Sequence, residues 1–210
     1  MTTGKIIFLN GTSSAGKTTL SHSLQEILPE AYLHIALDQF RDGLPDKYRG
    51  LNSNPGTTGH LGLNVVPVTE RDKPFTSIEF GEVGETMLKG MRRAMAAMVN
   101  EGNNIIIDDI LLKREFLLDY LEVFAPFDVT FVGVRCPLDV INAREQSRPG
   151  RFPGTAWGHY VQCHEHGEYD VEVDTSTLPP KECARIVASY QETRSPRAFS
   201  RLSTAYETLA

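Results

Sequence analysis

Gly11-Thr12-Ser13-Ser14-Ala15-Gly16-Lys17-Thr18 satisfies every fixed position of the pattern G-x-x-x-x-G-K-[ST]. These residue types in this order suit the holding of a polyphosphate. Glycines let the backbone pass close to phosphate oxygens, and successive N–H groups at the start of a helix form a concave anion nest. Lys17 adds a point charge for the β- and γ-phosphates, and the Thr18 hydroxyl is a ligand for Mg²⁺. The expectation is ATP with Mg²⁺, cradled by Gly11 through Thr19, rather than a tight turn carrying a solvated lysine.

Asp38 follows a short apolar run from Tyr32 to Leu37. Ligands of an open parallel sheet gather beyond the carboxyl ends of its strands, so a carboxylate there faces the phosphate loop. It is placed to accept the proton of an attacking hydroxyl in line with the γ-phosphoryl. The plainer role is the N-cap of a helix beginning at Gln39, and the loop upstream favours catalysis. Asp108-Asp109 closes the apolar run Ile105–Ile107. One of the pair suits Mg²⁺, with Asp108 preferred, while the other caps the following turn or meets the acceptor.

Arg135, Arg144, Arg148 and Arg151 follow the next apolar run, Val129–Val134. The spacing of the last three puts them on one face of a helical or turn-like stretch. Converging guanidiniums on a movable loop would close over the nucleotide, expel water and neutralise the transferring group. His164-Glu165-His166 is not the H-E-x-x-H pattern, and no third ligand stands at metal spacing. Trp157, Phe40, Phe75 and Phe80 are candidates for lining an acceptor pocket, and the segment after Asp174 is a candidate for meeting adenine.

The elements that must position these groups alternate. Lys5–Leu9, Tyr32–Leu37, Asn104–Asp108, Val129–Val134 and Val171–Val173 read as strands. Lys17–Leu28, Gly81–Asn100, Arg114–Leu121, Pro137–Gln146 and Lys181–Tyr190 read as helices. The methionines of the long 81–100 helix read as core or interface, which leaves a homo-oligomer open. Such alternation predicts a five-stranded parallel sheet with helices on both faces. Residues 49–77, rich in glycine and proline, read as an irregular insertion with a hairpin near the acceptor site, and 147–158 as a lid loop. Residues 1–190 form one domain, and the polar tail 191–210 is a frayed end or a docking helix.

Composition narrows the function classes. The chain of 210 residues carries a formal charge of −6, which argues against nucleic acid or an anionic membrane as a partner. The three cysteines form no CxxC pair, and free thiols suit a reducing, cytoplasmic compartment. No apolar run approaches the length of a membrane span.

The chain resembles the chloramphenicol phosphotransferase family over nearly its whole length to about Tyr190. The resemblance rests on Leu9-Asn10-Gly11 with Ser13–Lys17, Asp38, Ile105–Asp109, Val132–Cys136, Arg144-Glu145, Arg148, Arg151, His164-Glu165, Gly167–Thr175 and Glu182–Ala184. It implies a P-loop kinase-like α/β fold and transfer of the ATP γ-phosphoryl to a hydroxyl of a small molecule. By position, Asp38 would be the base, Lys17 and Thr18 the phosphate and Mg²⁺ ligands, and Arg148 and Arg151 the lid arginines. The insertion and the tail depart from the family's pattern, which leaves chloramphenicol as one acceptor among several. A metabolite or nucleoside kinase of the same architecture, with Arg41 reading a carboxylate, and an ATP-binding regulator without turnover are the alternatives.

Overall fold

The computed structural model describes residues 2–70, 73–147, 154–160 and 162–208, so Arg148 and Arg151 lie outside the described residues. Strand β1 (Ile6–Asn10) is buried along its whole length and leads through the phosphate loop into helix α1 (Lys17–Ile27). Strand β2 (Tyr32–Ala36) runs into the short α2 (Leu37–Asp42), so Leu37 starts the helix rather than ending the strand. After β3 (Arg49–Leu51), α3 (Thr58–Leu61), β4 (Leu63–Glu70) and β5 (Lys73–Phe80), the long α4 (Glu82–Asn100) returns to β6 (Asn104–Asp109). Then follow α5 (Arg114–Phe124), β7 (Val129–Arg135), α6 (Leu138–Gln146), α7 (Thr155–Tyr160), β8 (Val171–Asp174), α8 (Pro180–Thr193) and α9 (Ala198–Glu207).

Five strands make one parallel sheet in the order β2-β6-β1-β7-β8. Side chains alternate along β1, which splits the core in two. Ile6 and Phe8 face a cluster built with α4, α5 and α9, and Ile7 and Leu9 face one built with α1, α6 and α8. A strand apolar on both faces is what such a sandwich demands. Met91 and Met95 of α4 are fully buried in the first cluster. The register aligns Leu9 with Asp108 and Ala36 with Asp108. One edge of the sheet thereby gathers the start of the phosphate loop, the Asp108 carboxylate and the start of α2.

The segment expected to be irregular is ordered. β3, β4 and β5 form a second, three-stranded sheet, with β4 and β5 antiparallel from Leu63–Phe80 to Glu70–Lys73. The expected hairpin is there, but it runs on to Phe80. Its alternation is masked because the buried positions include the polar Asn64 and Thr76. Asn64 explains its own burial: its amide donates to Ser53 O (3.1 Å) and accepts from Ser53 N (3.0 Å), pinning the preceding loop.

The C-terminal segment docks. Ala198, Phe199 and Leu202 of α9 are buried, and Phe199 packs on Phe131 and Phe8 at 5.0 and 5.9 Å between ring centroids. Asp170 fixes the helix start, its Oδ1 accepting from the backbone N–H of Arg197 (2.7 Å) and Ala198 (3.0 Å). A carboxylate at a helix N-terminus satisfies donors that have no partner within the helix.

Candidate active site

The phosphate loop is shaped by two residues in left-handed conformation, Ser14 (φ 61°) and Gly16 (φ 95°). Gly11 is required for a different reason: a Cβ there would lie 2.5 Å from the Val134 carbonyl oxygen, so the loop leaves the sheet pressed against β7. Lys17 is buried, its ammonium donating to Gly11 O (2.9 Å) and Thr12 O (3.1 Å) and standing 3.7 Å from Asp108 Oδ1. The Ser14 hydroxyl is buried without a hydrogen-bond partner among the described residues. An orphaned donor beside a buried cation fits an anion at this loop.

Thr18 and Asp108 meet, the threonine hydroxyl donating to Asp108 Oδ2 at 2.7 Å. His34 Nε2 lies 3.4 Å from the same oxygen. Burial pushes the Asp108 carboxyl up, but the Lys17 charge and the His34 and Thr18 contacts outweigh it and leave the group below its ordinary range. Two hard oxygen ligands, one charged, are the donor set Mg²⁺ prefers. Asp109 faces other work. Its Oδ2 accepts from Tyr120 OH (2.6 Å) and its Oδ1 from Ile110 N (2.7 Å). Burial raises its pKa against these bonds.

Asp38 lies in the first turn of α2, with Ala36 at the cap position, so it is not an N-cap. Its side chain is 54% exposed and paired with Arg41 Nη1 at 2.7 Å. Arg41 also holds Asp42 (2.9 Å), so this guanidinium is shared between two carboxylates. Asp38, Lys17, Thr18 and Asp108 line one cleft of about 130 Å³, with Leu37 and Ile78 among its apolar lining and Thr155 and His159 also lining it.

The arginines separate. Arg144 is fastened to Thr175, through Oγ1 (3.0 Å) and the carbonyl oxygen (2.8 Å), and Thr175 Oγ1 donates to Ala15 O (2.7 Å). Together with Thr19 and Pro180 they line a second cavity of about 290 Å³ on the other side of the loop. Arg135 instead pairs with Glu172 (2.6 Å) over the Tyr169 ring. The last part of the expected lid loop is helical: Trp157 belongs to α7 and packs on Phe75 (5.0 Å). Phe80 is core against Phe116 (5.6 Å), and Phe40 packs on the same core. Aliphatic side chains rather than these aromatics form the wall of the described cleft.

Several residues that hold the site escaped the sequence reading. Glu145 is buried and accepts from Gly154 N (2.9 Å) and Ala156 N (3.0 Å), capping α7. Asn10, where β1 ends, donates to Cys163 O (2.5 Å) and Tyr169 OH (2.7 Å) and accepts from Leu111 N (3.0 Å). His164 contacts Tyr169 OH, and His166 lies 3.1 Å from the Asn10 amide. Burial lowers His164 to about 3 and His166 to about 4, so both rings are neutral parts of this network. Tyr169 also crowds Gly133, where a Cβ would sit 2.8 Å from its ring. The one sequence signal was a polar amide closing an apolar strand, which burial obliges to be bonded.

A parallel sheet in this order, with the phosphate loop joining β1 to α1 and carboxylates at neighbouring strand ends, defines the P-loop kinase fold. The chain belongs to the chloramphenicol phosphotransferase-like protein family, whose sequence pattern matches residues 4–192. Two Mycobacterium tuberculosis proteins, from strains CDC 1551 and H37Rv, are each 34% identical over 203 residues, covering 96% of this chain and 89% of theirs. Their names propose an O-phosphotransferase. The fold is similar to that of M. tuberculosis APS kinase (TM-score 0.64, 16% identity, 92% and 100% of the two chains). It is also similar to a gluconokinase from Sinorhizobium meliloti (TM-score 0.53, 17% identity, 100% and 99%). Among the described residues no helix is long and apolar enough to cross a membrane.

Proposed function

We propose that this protein transfers the γ-phosphoryl group of ATP to a hydroxyl of a small molecule. The observation that carries the reading is the single cleft shared by Lys17, Thr18, Asp108 and Asp38. Lys17 and the loop N–H groups hold the phosphates, and Thr18 and Asp108 hold Mg²⁺, which when bound draws charge from the phosphate oxygens. Asp38 accepts the hydroxyl proton as the acceptor oxygen bonds to the γ-phosphorus and the bridging bond to ADP breaks. Its exposure leaves room for an acceptor above it. The cavity beside Arg144 and Thr175 is assigned to the adenosine end. Arg148 and Arg151, outside the described residues, are assigned by sequence to the lid. Chloramphenicol or a related antibiotic is a candidate acceptor, and three buried, unbridged cysteines suit a cytoplasmic setting.

A coupled ADP-release assay with Mg·ATP tests this, run with chloramphenicol, a panel of hydroxylated antibiotics and simple polyols. Acceptor-dependent ADP release with a phosphorylated product by mass spectrometry is expected. Tight ATP binding with no stimulation by any hydroxyl compound would favour a nucleotide-binding regulator instead.

A further inference from the structure

A buried imidazole in the cleft has no part in the proposed chemistry. His159 is 2% exposed, and neither ring nitrogen has a hydrogen-bond partner among the described residues. An imidazole buried in this way is costly to the fold unless a ligand completes its bonding.

Its setting is built. Glu145 fixes the start of α7 through the Gly154 and Ala156 N–H groups, and Thr12 Oγ1 donates to Ala156 O at 2.9 Å. The helix that carries His159 therefore rests on the phosphate loop itself, and the ring lies one turn beyond that contact. It shares the cleft with Ser14, Lys17 and Asp38. Burial, with the nearby Lys17 charge, lowers His159 to about 4, so the ring is neutral and carries one N–H donor. A phosphoryl oxygen drawn to Lys17 at the mouth of the loop is the acceptor-only group that would match it.

We infer that His159 donates a hydrogen bond to the terminal phosphoryl group of the bound nucleoside triphosphate and so lets the site distinguish the triphosphate from the diphosphate. The inference rests on the nucleotide reading above.

Calorimetric titration of the wild type, H159A and H159Q with Mg·AMPPNP and with Mg·ADP tests it. H159A should lose about tenfold in AMPPNP affinity, the size of one hydrogen bond, while ADP affinity stays within about twofold. H159Q, whose amide still donates, should recover most of the difference. Unchanged ADP binding by H159A serves as the control for folding. Equal losses for both nucleotides, or none, would overturn the role of His159 and leave the nucleotide site standing. Failure of the wild type to bind either nucleotide would take down both readings. In the wild type, the ¹⁵N resonances of the His159 ring should move with Mg·AMPPNP and not with Mg·ADP. The same movement with both would also overturn the inference.

Discussion

The two walls of the cleft are built on opposite terms. On the phosphate side, Lys17 and Asp108 are buried, Thr18 is tied to Asp108, Lys17 is bonded to the loop, and all are backed by the fully buried β1 and by β6, buried from Ile105 onward. On the acceptor side, Asp38 and Arg41 stand on a six-residue helix with no buried residue, and Ile78 comes from a hairpin outside the main sheet. A phosphate binds in one geometry and rewards rigidity. An acceptor must enter and leave, and its variety is accommodated by short elements near the surface.

This contrast is open to attack, beginning with the largest effect. Asp38→Asn should lower transfer by about 10²- to 10⁴-fold, as for loss of a general base, with nucleotide affinity nearly unchanged. Parallel measurement of ADP release and nucleotide binding checks it, and equal losses would mean that the two walls are not separable. Asn10→Ala should act through the phosphate-side scaffold. It orphans Leu111 N and takes one partner each from Cys163 O and Tyr169 OH, which keep their contact with each other, costing about 1–3 kcal/mol for the orphaned buried group. Denaturant unfolding reads that loss.

Phe75→Ala removes the ring that packs on Trp157 and fills the space at Gly158. It should cost about 1–3 kcal/mol in stability, less than a fully buried phenylalanine, because Phe75 is half-buried. Once an acceptor is in hand, its KM should rise more than that for ATP. A larger change for ATP would move the hairpin to the nucleotide wall.

The smallest expected effect is a pH dependence of stability. His159, His164 and His166 are held neutral at about 4, 3 and 4. Between those values and the ordinary value near 6.5, the unfolded chain binds protons that the native chain does not, so stability falls with falling pH. The melting temperature should drop from about pH 7 to about pH 4.5, and less steeply in H166Q. An unchanged slope in H166Q would remove that ring from the explanation.

Legibility followed the same division. The loop, α1 and the five parallel strands could be read because buried strands leave continuous apolar runs and the phosphate loop needs particular residue types at fixed spacing. Asp108 could be read because it ends such a run. A hairpin was expected within an irregular insertion, but the full extent of β4–β5 was not legible because Asn64 and Thr76 interrupt its apolar alternation and proline stands at 67 and 74. The partners of Arg135 and Arg144 were not legible, because Glu172 and Thr175 arrive from β8 and its exit, far along the chain. The tail could be read as polar, but its docking depended on Asp170 meeting the first N–H groups of α9.

The sequence alone determined the sheet's strands, the phosphate loop and the carboxylates at the strand ends, because each is written in local residue type and period. Only the tertiary structure decided which groups share the cleft. It brought Ala36 beside Asp108, laid α7 on Thr12 and left His159 buried without a hydrogen-bond partner among the described residues. Those outcomes depend on strand register and helix packing between residues distant in sequence, and no local pattern records them.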